Sequence, residues 1–182
     1  MKVQDIMNMS LSTCSAHDRL DAAAARMWEH DCGCLPVVDH DGRPMAMITD
    51  RDLCMAAFTT GKRLADLPVA HAMSKQLVSC RPQEDVAVAA QRMCKHGVRR
   101  IPVVDAAGKL MGLLSLNDLA AAMAEGPATK TANIAANEAL RVLAAVSRHR
   151  SKVPAAAEPP APTPPSRPVA QPQAAAAKGT SV

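Results

Sequence analysis

Apolar residues recur along this chain at two spacings, and the spacings alternate in the same order in two successive stretches. Leu20, Ala23, Ala24 and Met27 stand at i, i+3, i+4 and i+7, as do Val86, Ala89, Ala90 and Met93, which predicts one amphipathic helix in each stretch. A short apolar run follows each, Leu35 to Val38 or Ile101 to Val104. Then comes a turn with a glycine, Asp39-His40-Asp41-Gly42 or Asp105-Ala106-Ala107-Gly108, and a second run, Met45 to Ile48 or Leu110 to Leu114. Two short strands about such a turn predict a hairpin. A closing helix is expected from about Asp50 and from about Leu116. With a further short strand near Leu11 to Cys14 and near Leu77 to Cys80, each stretch reads β-α-β-β-α.

The likeness extends to single residues. Leu35-Pro36-Val37-Val38-Asp39 returns as Ile101-Pro102-Val103-Val104-Asp105, and adding 66 to a number carries Val3 to Val69, Met7 to Met73, Gly42 to Gly108 and Leu53 to Leu119. The chain is therefore expected to hold two repeats, 3–58 and 69–124, neither of which can bury its apolar face without its copy. Asp18 and Glu84 are expected near the helix starts, where an acid suits the dipole.

Glu125-Gly126-Pro127 should end the last helix. Ile134, Leu140, Val142, Leu143 and Val146 then predict one more helix over about 133–150, with Arg141, Arg148, His149 and Arg150 crowding its carboxyl end. It is open to capping the core, pairing with a second chain or docking elsewhere. Residues 151–182 are Pro, Ala, Ser and Gln without apolar periodicity, a composition expected to stay disordered.

Composition narrows the classes. Trp28 and Phe58 are the only aromatic residues, so Met, Leu, Val, Ile and Ala must fill the core, with Met adapting to irregular gaps. A formal net charge of +4 is mild, and the shortage of stacking side chains argues against a nucleic-acid partner. The start carries no apolar run of a signal peptide, and no stretch of eighteen apolar residues exists, so a cytoplasmic protein without membrane contact is expected. The six cysteines read as thiols, since a disulfide framework belongs to small secreted chains; Cys14 and Cys80 are twins inside expected strands.

Candidate chemistry gathers where strand gives way to helix. Thr49-Asp50-Arg51-Asp52 and Ser115-Leu116-Asn117-Asp118 share a hydroxyl followed three residues later by a carboxylate. Before a helix this is close to a capping box, hydroxyl on a backbone N–H and acid reaching back. The same spacing suits a nucleotide: N–H groups at a helix start and a hydroxyl accept a phosphate, while a carboxylate one turn on accepts hydrogen bonds from a ribose diol. Arg51 in the first repeat and Arg100 ahead of the second, more than its neighbour Arg99, are positioned to neutralise phosphate.

Together these features resemble a tandem pair of cystathionine β-synthase (CBS) domains, a Bateman module, over about Val3 to Met123. The resemblance is carried by the two Leu/Ile-Pro-Val-Val-Asp segments and by Ala46-Met47-Ile48-Thr49-Asp50-Arg51-Asp52-Leu53 with Gly112-Leu113-Leu114-Ser115-Leu116-Asn117-Asp118-Leu119. It implies a mixed α/β (α+β) fold of two β-α-β-β-α units packed about a pseudo-twofold axis, with two clefts for adenosine-containing ligands: AMP, ADP, ATP or S-adenosylmethionine. By position, Asp52 and Asp118 would hold ribose, Thr49 and Ser115 would face phosphate, and the chain near Leu35-Pro36 and Ile101-Pro102 would line the base pockets. Ala46 stands where the family pattern has Gly, as at Gly112, an added methyl at the first cleft. The resemblance further implies a homodimer and a regulatory, non-catalytic role: a ligand shifts a conformational balance by its differential affinity for two states, and an effector protein reads the outcome.

Two other classes compete. A metal or redox protein would use Cys32 and Cys34 with His30 and His40, since zinc takes mixed Cys and His ligands, although Cys32-Gly33-Cys34 is a tight spacing for it. An enzyme would need a converging nucleophile, base and orienting group. No nucleophile elbow, Walker-type glycine loop or His-Glu zinc helix occurs in the sequence.

Overall fold

A computed structural model describes residues 1–125 of the 182-residue chain. The helix expected over 133–150 and the tail 151–182 lie outside the described residues. Within 1–125 the order is β1 (Cys14–Ser15), α1 (Leu20–Glu29), β2 (Cys34–Val38), β3 (Pro44–Thr49), α2 (Asp50–Thr60), α3 (Val86–His96), β4 (Arg100–Val104), β5 (Leu110–Ser115) and α4 (Leu116–Glu125). Short 3-10 turns cover Val3–Asp5, Leu64–Asp66 and Val69–His71. The mixed α/β class and the doubled unit are those expected from the sequence.

The two hairpins obey one register. Cys34 pairs with Thr49 and Leu35 with Ile48, and their twins Arg100 and Ser115, Ile101 and Leu114 pair likewise; both ladders slip at the same place, between Val37 and Val38 and between Val103 and Val104. Gly42 and Gly108 close the turns at φ of 78° and 82°, a left-handed backbone that glycine adopts without strain. The outer strand is shorter than expected. β1 begins only at Cys14, running parallel to β2, and its twin is reduced to one bridge between Cys80 and Val103. Both strands stop early on their carboxyl side, where the Ser15 N–H turns to the Asp18 carboxylate and the Arg81 N–H to Glu84.

Those two acids stand near the helix starts, as expected. They precede the helices in these turns, and Arg26 and Arg92, one helical turn or more inside α1 and α3, reach back to pair with them. The Arg26 guanidinium beside Asp18 holds its carboxyl below the usual 3.8.

Two apolar cores result, and neither is made from one repeat. Leu20, Leu35, Val37 and Ile48 pack with Leu67 and Val69, which follow the first repeat's last helix; Val86, Met93, Ile101 and Leu114 pack with Val3 from the start of the chain. Backbone hydrogen bonds fix this exchange symmetrically. Val69 N–H donates to Asp18 C=O at 2.8 Å and Ala70 N–H to Ala16 C=O at 2.9 Å, while Val3 N–H donates to Glu84 C=O and Gln4 N–H to Pro82 C=O, both at 3.0 Å. Each leading segment thus completes the other half. The hairpin tips join the halves again, with Leu110 N–H on Gly42 C=O at 3.0 Å and Arg43 Nε on Ala107 C=O at 3.1 Å.

The cores are aliphatic, as the composition required: Trp28 and Phe58 both lie outside them, 89% and 61% exposed.

Candidate functional site

Each helix that follows a hairpin is launched by its strand's last residue. Ile48 and Leu114 are buried, so the alternation along β3 and β5 points Thr49 and Ser115 to the sheet face away from the core. There the hydroxyl closes a capping box. The Thr49 Oγ1 hydroxyl donates to Asp52 Oδ2 at 2.7 Å, Thr49 N–H donates to the same oxygen at 2.9 Å, and Asp52 N–H returns to Oγ1 at 3.3 Å. Ser115 and Asp118 repeat the arrangement at 2.7, 2.7 and 3.2 Å. Capping is therefore realised in both halves. It uses only Oδ2: among the described residues no partner occupies Oδ1 of Asp52 or Asp118, and all four side chains are half-buried rather than sealed.

The two helix starts differ in what they leave free. In α4, Leu116 N–H donates to Arg99 C=O at 2.9 Å and Asp118 N–H to Ser115, so Asn117 N–H has no partner among the described residues. In α2, Asp50 N–H donates to Gly33 C=O at 3.2 Å and Asp50 Oδ1 accepts from Arg51 N–H at 2.7 Å, so the equivalent donor is already taken by an acid of the same helix. Gly33 makes this possible, because a side chain there would bring its Cβ within 3.1 Å of Asp50 Oδ2. Sequence reading overlooked Asp50 and Gly33. The signal was present in their twins, Leu116 and Arg99, which are neither acidic nor small.

Of the other expected site residues, Leu35 and Ile101 are fully buried in the two cores, while Pro36 and Pro102 are buried on the opposite face of the hairpins. All four residues are buried whole, backbone included, so they offer a ligand little open surface. Arg51 and Asn117 are exposed. Arg100 is half-buried, sits opposite Ser115 in the ladder, and projects positive potential as far as the Cys34 thiol. Ala46 requires a correction. Its methyl is buried in the first core, not in a cleft, and the glycine at 112 answers a different demand: a Cβ there would meet Met7 Sδ at 2.8 Å and Asn8 C=O at 3.1 Å.

The metal reading loses its geometry. His40 is in the hairpin turn, 89% exposed beside Asp41, and Cys34 is buried at the far end of β2, about 20 Å away at the rise of a strand. Cys32 is half-buried and His30 exposed, and among the described residues no three His, Cys, Asp or Glu side chains gather as a metal site. Burial pushes the Cys14 and Cys80 thiols up, to about 11 and about 12, which leaves them neutral and inert as expected.

A sequence profile of the CBS domain matches residues 3–58 and 66–125. The chain belongs to the CBS domain family. Among curated proteins it is 37% identical over 118 residues to the CBS domain-containing protein YhcV of Bacillus subtilis, covering 65% of this chain and 82% of that one. Solved structures that share its fold include two with bound groups. One is Hypoxic Response Protein I with two coordinated zinc ions, at 28% identity and a TM-score of 0.62, over 70% of this chain and 100% of that one. The other is CBSX2 in complex with AMP, at 26% identity and a TM-score of 0.60, over 68% and 96%. No helix among the described residues is long and apolar enough to cross a membrane.

Proposed function

We propose that this CBS pair is a regulatory module that binds an adenine nucleotide, and that the cleft at the start of α4 is its principal site. The observation that carries this reading is the combination left unused there: the Asp118 Oδ1, the Asn117 N–H and the nearby Arg100. A ribose diol donates to the free carboxylate oxygen, a phosphate accepts from the free N–H at the helix start, and Arg100 supplies the counter-charge. The AMP held by CBSX2, which shares this fold, supports the ligand class. At the start of α2, Asp52 Oδ1 is equally free, but the Asp50 carboxylate occupies the place of the phosphate. That cleft is therefore better suited to an adenosine compound without phosphate, or to none.

The role is binding without chemistry. A ligand seated between the hairpins shifts the balance of conformations, a second copy of the chain assembles with it as a homodimer, and an effector protein responds.

Thermal unfolding in the presence of AMP tests the proposal. At a hundredfold excess over its dissociation constant, AMP should stabilise the wild type by about 2.7 kcal/mol. Asp118→Ala should lose that gain and Asp52→Ala should keep it. Equal stabilisation of wild type and Asp118→Ala would remove the site.

A further inference from the structure

Thiols are spread unevenly between the two halves. Cys14 and Cys80 are twins, but Cys32 and Cys54 have Val98 and Ala120 at the equivalent places. Both line one open groove of about 540 Å³ between α1 and α2, together with Met27, Trp28, Leu53 and Ala57. Cys34 takes no part in that groove; it is buried, and burial pushes its thiol up.

Packing accounts for Cys32 but not for Cys54. Asp31 ends α1 at a φ of 46° and Cys32 N–H returns to Met27 C=O at 2.9 Å, as Val98 N–H returns to Met93 C=O at 3.1 Å after Gly97 at 62°. An apolar side chain at that place folds back on its helix, and Cys32 does so while staying half-buried. Cysteine is among the most buried residue types, yet Cys54 is exposed, one turn past Asp50 on the same face of α2. Asp50 N–H donates to Gly33 C=O at 3.2 Å, which holds the start of α2 against the residue next to Cys32. An exposed thiol and a half-exposed one thus share a groove beside a pinned backbone. Asp31 and Asp50 also line it, so it repels anions and admits a neutral reagent.

We propose that Cys32 and Cys54 form a modification site, which a hydroperoxide oxidises to an intramolecular disulfide. The Cys54 sulfur attacks the peroxide: an S–O bond forms, the O–O bond breaks, and the thiol proton goes to the departing oxygen, which leaves as water or an alcohol. The Cys32 sulfur then attacks the sulfenic acid so formed. An S–S bond replaces the S–O bond, and the released hydroxide takes the Cys32 proton and leaves as water. The two thiols give up two electrons and the peroxide is reduced by them. Bridged cysteines keep their Cα atoms about 5.5–6 Å apart, so the bond fixes the first turn of α2, which carries Asp52, to the end of α1. The start of α4 has no such staple, because Ala120 stands at the place of Cys54.

Dilute hydrogen peroxide on the reduced full chain, followed by alkylation of the remaining thiols and tryptic mass mapping, tests the proposal. Wild type should lose two of its six free thiols and join peptides 27–51 and 52–62, and a reducing agent should restore both thiols. Cys32→Ser and Cys54→Ser should each abolish the link, while Cys34→Ser should keep it. A link that disappears in Cys34→Ser, one that joins two chains, or a Cys54 oxidised beyond sulfenic acid with Cys32 still free would overturn the proposal.

Discussion

One carboxylate oxygen caps a helix and its neighbour is left over: on this division within Asp52 and Asp118 the proposed nucleotide site rests. The capping role was readable from the spacing alone, because the hydroxyl-to-acid interval fixes it. The leftover oxygen was not, since only the geometry shows that hydroxyl and backbone N–H crowd onto the same Oδ2. A different residue-scale contact sets the response to acid. Asp18 ionises below its usual range because Arg26 donates to it, so the folded state binds its proton less readily than the unfolded chain. The stabilisation is therefore complete above the unfolded pKa, about 3.9, and is lost as pH falls through the lower folded value. Denaturant unfolding between about pH 5 and pH 2 should show a smaller acid-induced loss in Asp18→Asn than in wild type. Identical slopes would mean the pair does not contribute.

At the scale of elements, helices α1 and α3 and both hairpins were legible because period and turn chemistry agree with the tertiary demand. The outer strands were not: Leu11 to Cys14 has strand composition, yet pairing with β2 starts only at Cys14 and the Asp18 turn ends it after Ser15. The Ala46 and Gly112 difference teaches the same lesson. Read as a feature of the cleft, it belongs to the back of the sheet, where Met7 and Asn8 press on β5. Gly112→Ala should destabilise the protein by about 1–3 kcal/mol through overpacking. Met7→Ala should recover part of that loss in a denaturant titration, and a neutral Gly112→Ala would show that the leading segment does not sit on this strand.

Across the whole molecule, the repeats counted along the chain are not the units that pack. Val3 serves the second core and Val69 the first, so each half depends on a segment belonging to the other and the two cannot be separated by cutting between them. No periodicity announces this, because an exchanged and an unexchanged segment have the same sequence. Val3→Ala removes two buried methyl groups and should cost about 2 kcal/mol. Its signature is spatial: hydrogen exchange should quicken in α3, β4 and β5, far along the chain, more than in α1, β2 and β3. The reverse pattern would place the segment with its own repeat.

The same exchange ties the cleft at α4 to the start of the chain, where Asn8 N–H donates to Leu113 C=O at 3.0 Å, two residues before Ser115. The most direct measurement is an AMP titration followed by backbone amide resonances. With AMP at the α4 start, the Asn117 and Asp118 signals should shift first and saturate together, with Arg51 and Asp52 changing little. Shifts confined to the α2 start, or none at Asn117, would contradict it.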